Sequence, residues 1–79
     1  MTIELLGDNC RTCRLQHHNI TLALQEIAVQ IEYRKIDDPQ RFAEYGLMSL
    51  PGLVINGQLR SAGKLLTTGE IMAILTEAR

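Results

Sequence analysis

The sequence predicts an α/β fold with a mixed sheet, and three stretches carry that prediction. Apolar residues Ile3, Leu5 and Leu6 precede a long helical pattern, and a second stretch of strand character follows it. Asn56-Gly57 stands between two apolar runs, and Thr67 with Glu70 opens a last amphipathic stretch. Strand, helix, strand is a crossover unit, which places its strands parallel with a right-handed connection. Asn-Gly between apolar runs favours a tight antiparallel hairpin, because both turn residues need positive φ. The expected order is β-α-β-α-β-β-α in one domain spanning 1–79, since 79 residues leave no room for a second core.

Taken in order, Ile3, Leu5 and Leu6 read as a short, mostly buried strand ending at Gly7. From 11 to about 29 the pattern turns helical. Cys13, Ile20, Leu24, Ile27 and Ile31 keep close to one stripe, widened by Leu15, Leu22, Ala23 and Ala28. Asn19 and Thr21 read as mild local costs to that helix. Residues 31–36 alternate Ile31 and Tyr33 with charges, as a second strand would. Asp38 can cap a helix whose first position is Pro39, and Gly46 stops it after Tyr45. Phe42 and Tyr45 read as core residues and Glu44 as surface. Runs at 53–55 and 59–62 flank the Asn-Gly turn, and Gly63 closes the pair. Thr67 and Glu70 form a capping box, opening a final helix to about Ala78 with Ile71, Ile74 and Leu75 on its apolar face.

Composition narrows the function. A formal net charge of -1, scattered lysines and arginines and few aromatic residues argue against a nucleic-acid partner. No apolar run approaches the ~20 residues of a spanning helix, so no membrane partner is expected. The N-terminus lacks a basic region and a cleavage site, which makes the cytoplasm the expected compartment.

The chemistry concentrates in residues 7–13, Gly-Asp-Asn-Cys-Arg-Thr-Cys, where the first strand hands over to the long helix. Helix starts leave backbone N–H groups without intrahelical partners, and the macrodipole there favours negative charge. Cys10 at the cap, with Cys13 in the first turn, would face those donors as a thiolate. Arg11 and Arg14 add positive charge, which Asp8 opposes. A disulfide closing so short a loop constrains the unfolded chain little, and cytosolic reductants would open it unless it were catalytic. Two cysteines also fall short of the four ligands of a structural zinc site. A redox pair is the reading these facts favour, with Cys10 attacking and the more buried Cys13 resolving. His17 and His18 offer imidazoles one turn beyond Cys13, but on a polar helix face they read as solvated. No metal and no cofactor are expected. Met48 reads as packing beside the site.

The element order with Cys-x-x-Cys after the first strand resembles the thioredoxin-like fold in its short, glutaredoxin-sized form. Within it, the chain is similar to the small single-domain redox-active disulfide, or glutaredoxin-like, group. The matching segments run from Glu4 to Cys13 and from Glu44 to Pro51, with Asn56-Gly57 and Ser61-Ala62-Gly63 beyond them. The resemblance implies a four-stranded mixed sheet ordered second, first, third, fourth, flanked by helices on both faces. It also implies that Pro51 is cis and packs by the active-site sulfurs. The backbone of Leu50 would then pair with a substrate chain, with Arg11 and Thr12 beside the nucleophile completing the binding surface. The implied activity is thiol–disulfide exchange. Its partners would be a protein or small-molecule disulfide or dithiol, and a thiol reductant or reductase.

The chain departs from its larger relatives in several places. Arg11-Thr12 replaces the Gly-Pro or Pro-Tyr found between their cysteines, and no tryptophan precedes Cys10. No counterpart of thioredoxin's buried aspartate is evident. Ser61-Ala62-Gly63-Lys64 and Thr67-Thr68 stand where glutaredoxins hold glutathione, so the resemblance does not extend to glutathione chemistry. Two alternatives use the same Cys-x-x-Cys. One is a copper- or zinc-carrying module, whose chain would end in a strand; the other is a binding domain that senses redox state.

Overall fold

A computed structural model describes residues 1–27 and 30–78. Its elements are β1 (Thr2–Leu6), α1 (Arg11–Glu26), β2 (Glu32–Ile36), α2 (Pro39–Glu44), β3 (Gly52–Ile55), β4 (Gln58–Ala62) and α3 (Thr68–Glu77). The strands form one sheet in the order β2-β1-β3-β4. β1 runs parallel to β2 and antiparallel to β3, and β3 and β4 form the hairpin. The expected mixed sheet, its order and the terminal helix are all present. No helix among the described residues is long and apolar enough to cross a membrane.

Local chemistry explains most of the boundaries. Asn56 and Gly57 both take positive φ, 52° and 83°, as the hairpin turn requires. The Asp38 side chain accepts from the Gln40 N–H at 3.0 Å, and Pro39 occupies the first helical position of α2. Thr67 and Glu70 exchange two 3.1 Å hydrogen bonds in the capping box of α3. The paired strands β3 and β4 hold one irregularity, in which Leu53 faces Ser61 while Val54 faces Leu59, leaving Arg60 as the extra residue.

The long helix is shorter than its apolar pattern suggests. It ends at Glu26, and β-branched Ile27 is already extended at φ -106°, ψ 128°. Ala28 and Val29, which the expected helix included, lie outside the described residues. Ile31 belongs to the approach to β2, where the Glu32 N–H donates to the Met1 carbonyl at 2.9 Å. Leu15 and Leu22 do not widen the buried stripe but are exposed. Their place on the core face is taken by Gln16, only 1% exposed, together with Cys13, Ile20 and Ala23.

Alternation along the strands assigns the two sheet faces. Ile3, Leu5, Leu53 and Ile55 meet Ile20 and Ala23 of α1 and Ile71 and Leu75 of α3 in the main core. On the other face Leu6 and Val54 are fully buried. The surprise there is Glu4, a charged residue on the central strand that is 6% exposed. Its carboxylate accepts from Arg41 at 3.0 Å and from the Tyr45 hydroxyl at 3.1 Å, so α2 docks by satisfying a buried charge. Phe42 and Tyr45 are only half-buried, and the role of Tyr45 is this polar tie rather than filling the core.

Gln16 performs a similar task on the main face. Its amide nitrogen donates to the Leu66 carbonyl at 3.3 Å and its oxygen accepts the Leu66 N–H at 2.8 Å. Asn19 donates to the same carbonyl at 2.9 Å, so this residue ties the helix to the loop before α3. Gln16→Leu would leave the buried Leu66 N–H without its acceptor. The expected loss of stability in urea denaturation is about 1–3 kcal/mol, and an unchanged midpoint would contradict this account of the loop.

His17 lies half-buried between α1 and β2. Its Nδ1 is 2.7 Å from the Tyr33 hydroxyl, and the two rings stack with centroids 5.6 Å apart. Burial, helped by Lys35 and His18, holds the imidazolium pKa below its ordinary 6.5. The folded chain therefore binds this proton less readily than the unfolded chain. Its contribution to stability is complete above about pH 6.5, declines as pH falls below that value, and levels off below the folded value. His17→Gln is expected to flatten the fall in denaturation midpoint between about pH 7 and about pH 5. Parallel profiles for the two proteins would remove His17 from that dependence.

Candidate functional site

Cys10 is the N-cap of α1, with extended backbone at φ -72°, ψ 162°. Its Sγ accepts the Cys13 N–H at 3.2 Å, so the sulfur takes the place that serine, threonine or aspartate commonly fills. The sequence folds this way because Gly7 ends β1 with its N–H on the Ile36 carbonyl, at 2.9 Å. Asp8 then folds back, its carboxylate accepting the Cys10 N–H at 3.0 Å. Gly7 is also a steric requirement. A Cβ there would lie 2.8 Å from Cys13 Sγ and 3.2 Å from its Cβ, so any side chain would displace the second cysteine.

The two cysteines differ in exposure. Cys10 is half-buried and Cys13 is 3% exposed, and both are free thiols. Burial first, then hydrogen bonding and charge from Cys10, pushes the Cys13 thiol up to about 11. Asp8 reaches it as well, with Oδ1 3.8 Å from Cys13 Sγ. The Asp8 carboxylate and both sulfurs lie within 4.8 Å of one another. From the sequence alone, Asp8 is only a charge opposing Arg11 and Arg14. Its position two residues before Cys10, where a short polar side chain can bond the backbone two residues on, was the available signal.

Of the other residues the sequence singled out, Arg11 and Thr12 are exposed on the first turn of α1. Pro51 is buried and its bond to the half-buried Leu50 is cis. A Cβ on Gly7 would also come within 3.9 Å of Pro51, so Gly7 lies between Cys13 and this proline. Gly63 supports the same loop from behind. At φ 72° it donates to the Pro51 carbonyl at 2.8 Å, and a Cβ on it would meet Ser49 at 2.7 Å. The Ser-Leu-Pro and Ser-Ala-Gly segments, far apart in sequence, are thus two sides of one contact.

Two expectations about the site are corrected. Met48 does not pack beside the site: it is 96% exposed in the loop leading to Pro51. His17 is not a solvated neighbour of Cys13, being held against Tyr33. A buried acid does exist on the strand before the cysteines, namely Glu4. It lies on the opposite sheet face from Cys13 and is engaged by Arg41 and Tyr45, so it does not serve the sulfurs. A cleft of about 340 Å³ lined by Gly7, Asp8, Asn9, Lys35, Ile36 and Asp37 adjoins the cysteine loop, and neither cysteine lines it.

Comparison with known proteins agrees with this fold. Two solved structures share the fold at low sequence identity. One is thioredoxin-2 of a malaria parasite, described as a component of its protein secretion machinery. It superposes with a TM-score of 0.78 at 14% identity, covering 96% of this chain and 81% of that one. The other, described as a malarial protein, gives a TM-score of 0.71 at 16% identity, covering 98% and 97%. In sequence, the chain is 33% identical over 76 residues to a thioredoxin of Methanothermobacter thermautotrophicus, covering 96% of this chain and 99% of that protein. A thioredoxin-domain family model matches residues 1–76, a span that holds both cysteines, Pro51 and every strand and nearly all of α3. By fold, by sequence and by its Cys-x-x-Cys at the head of α1, the chain belongs to the thioredoxin family.

Proposed function

We propose that the protein is a thiol–disulfide oxidoreductase working through Cys10 and Cys13. The observation that carries this reading is the asymmetry of the pair: one sulfur caps the helix within reach of solvent, and the other is buried behind it. Cys10 attacks as a thiolate on one sulfur of a substrate disulfide, forming a mixed disulfide and expelling the other substrate sulfur as thiolate. Cys13 then loses its proton, for which the Asp8 carboxylate 3.8 Å away is an acceptor, and attacks the Cys10 sulfur. The second substrate sulfur leaves, the Cys10–Cys13 bond forms, and two electrons have passed to the substrate. A thiol reductant or reductase returns the pair to the dithiol.

Binding of a polypeptide disulfide is assigned to Leu50, Pro51, Arg11 and Thr12. Leu50 leads into Pro51, which stands across Gly7 from Cys13, and Arg11 and Thr12 are exposed on the turn that carries the cysteines. Exposed Met48, in the same loop as Leu50, adds a flexible apolar contact suited to varied partners. Metal carriage is the weaker reading for the whole fold, because Thr68–Glu77 form the helix α3 where a metal-carrying module of that kind would have a strand.

Two measurements test the assignment of roles. Brief alkylation of the reduced protein near neutral pH is expected to label Cys10 and spare Cys13, whose thiol ionises only toward about 11. Labelling of Cys13 should rise as pH approaches that value, because the thiolate is the reacting form. Cys13→Ser is expected to accumulate a mixed disulfide at Cys10 with a substrate protein, while Cys10→Ser accumulates none. Preferential labelling of Cys13 would reverse the roles.

A further inference from the structure

The two cysteines alone lack the donors for a metal, but the fold adds a third. Asp8, Cys10 and Cys13 place a carboxylate oxygen and two sulfurs within 4.8 Å of one another. A tetrahedral ion bound at ordinary Zn–S and Zn–O lengths needs donor separations of about 3.5–3.8 Å. The Asp8 Oδ1 to Cys13 Sγ separation, 3.8 Å, already meets that requirement. Asp8 is exposed and Cys10 half-buried, so both can rotate the remaining distance inward while Cys13 stays fixed behind Gly7. The exposure of Asp8 and Cys10 also leaves the fourth position open to water or to a further ligand.

The donor set selects among ions. Two thiolates favour borderline and soft metals, and a carboxylate in the same set disfavours Cu(I), which leaves Zn²⁺ as the fit. We propose that the reduced protein binds one Zn²⁺ through Cys10, Cys13 and Asp8, and that ion binding and thiol exchange exclude one another. Binding leaves both sulfurs as thiolates and releases to solvent the protons they carried, the Cys13 proton among them, with no change of oxidation state. Oxidation to the Cys10–Cys13 disulfide removes both sulfur donors. The occupied site in turn has no free Cys10 lone pair with which to attack a disulfide. The exclusion of exchange rests on the oxidoreductase reading, whereas the ion site itself does not.

Calorimetric titration of Zn²⁺ into the reduced chain is expected to give one ion per chain, with release of the Cys13 proton detected by comparing buffers of different ionisation enthalpy. The oxidised chain, which requires no substitution, should bind no ion at this site. Asp8→Asn keeps an oxygen to accept the Cys10 N–H and so preserves the turn, and it should weaken binding by about tenfold or more. Equal affinity in Asp8→Asn, equal affinity in the oxidised chain, or two chains per ion would each overturn the three-donor site. Exchange by the parent chain is then compared with a chelator and with Zn²⁺. Activity with chelator that is lost with Zn²⁺ supports the exclusion, and activity unaffected by saturating Zn²⁺ overturns it. Absence of exchange in both would count against the oxidoreductase reading and leave the titration to judge the ion site.

Discussion

The site depends on one hydrogen bond, from the Cys13 N–H to Cys10 Sγ at the head of α1. It makes a sulfur the cap of the helix, so the first helical turn fixes both cysteines relative to each other. Placing a sulfur there has a cost in propensity, since oxygen-bearing side chains are the stronger caps. The gain is chemical: a sulfur is held in a fixed position by a first-turn N–H while staying within reach of solvent. Gly7 makes the arrangement possible by letting β1 pass against Cys13, and Asp8 holds the turn by accepting the Cys10 N–H. The chemistry and the end of the helix are therefore the same structure.

The rest of the chain holds that helix in place. Its inner face meets the sheet and α3 through Ile20 and Ala23, and Gln16 locks it to Leu66 ahead of α3. In a chain of 79 residues the apolar core is small, and specific buried polar ties supplement it. Glu4, Arg41 and Tyr45 do the same on the opposite face. That tie secures α2, which leads into the loop carrying Leu50 and Pro51, while Gly63 supports the loop from β4. Each side of the cysteine pair is thus backed by a different buried contact.

What was legible in the sequence was what local chemistry decides. The Asn56-Gly57 turn, the Asp38 and Thr67 caps, Pro39 at a helix start and Cys10 at the strand–helix junction each declare themselves within four residues. The strand order followed from resemblance to the thioredoxin-like fold rather than from spacing. Glu4 was hidden because its partners stand 37 and 41 residues away, and a lone acid in an apolar strand does not announce them. Gln16 is hidden for the same reason, so the apolar pattern puts Leu15 and Leu22 on a face they do not occupy. The exposure of Met48 depends on the path of a loop, which no periodicity encodes. Asp8 was visible as a charge, but its reach toward both cysteines emerged only from the fold of the turn.

The central claim is that Cys10 and Cys13 form a reversible two-electron couple. It is tested most directly by equilibrating the protein with thiol–disulfide buffers of defined potential and counting free thiols after acid quenching. The account predicts a single transition with both thiols lost together, at a potential of roughly -180 to -270 mV, the span of thioredoxin- and disulfide-isomerase-type pairs. Thiols that persist across the whole series, or that disappear one at a time as mixed disulfides with the buffer, would contradict it.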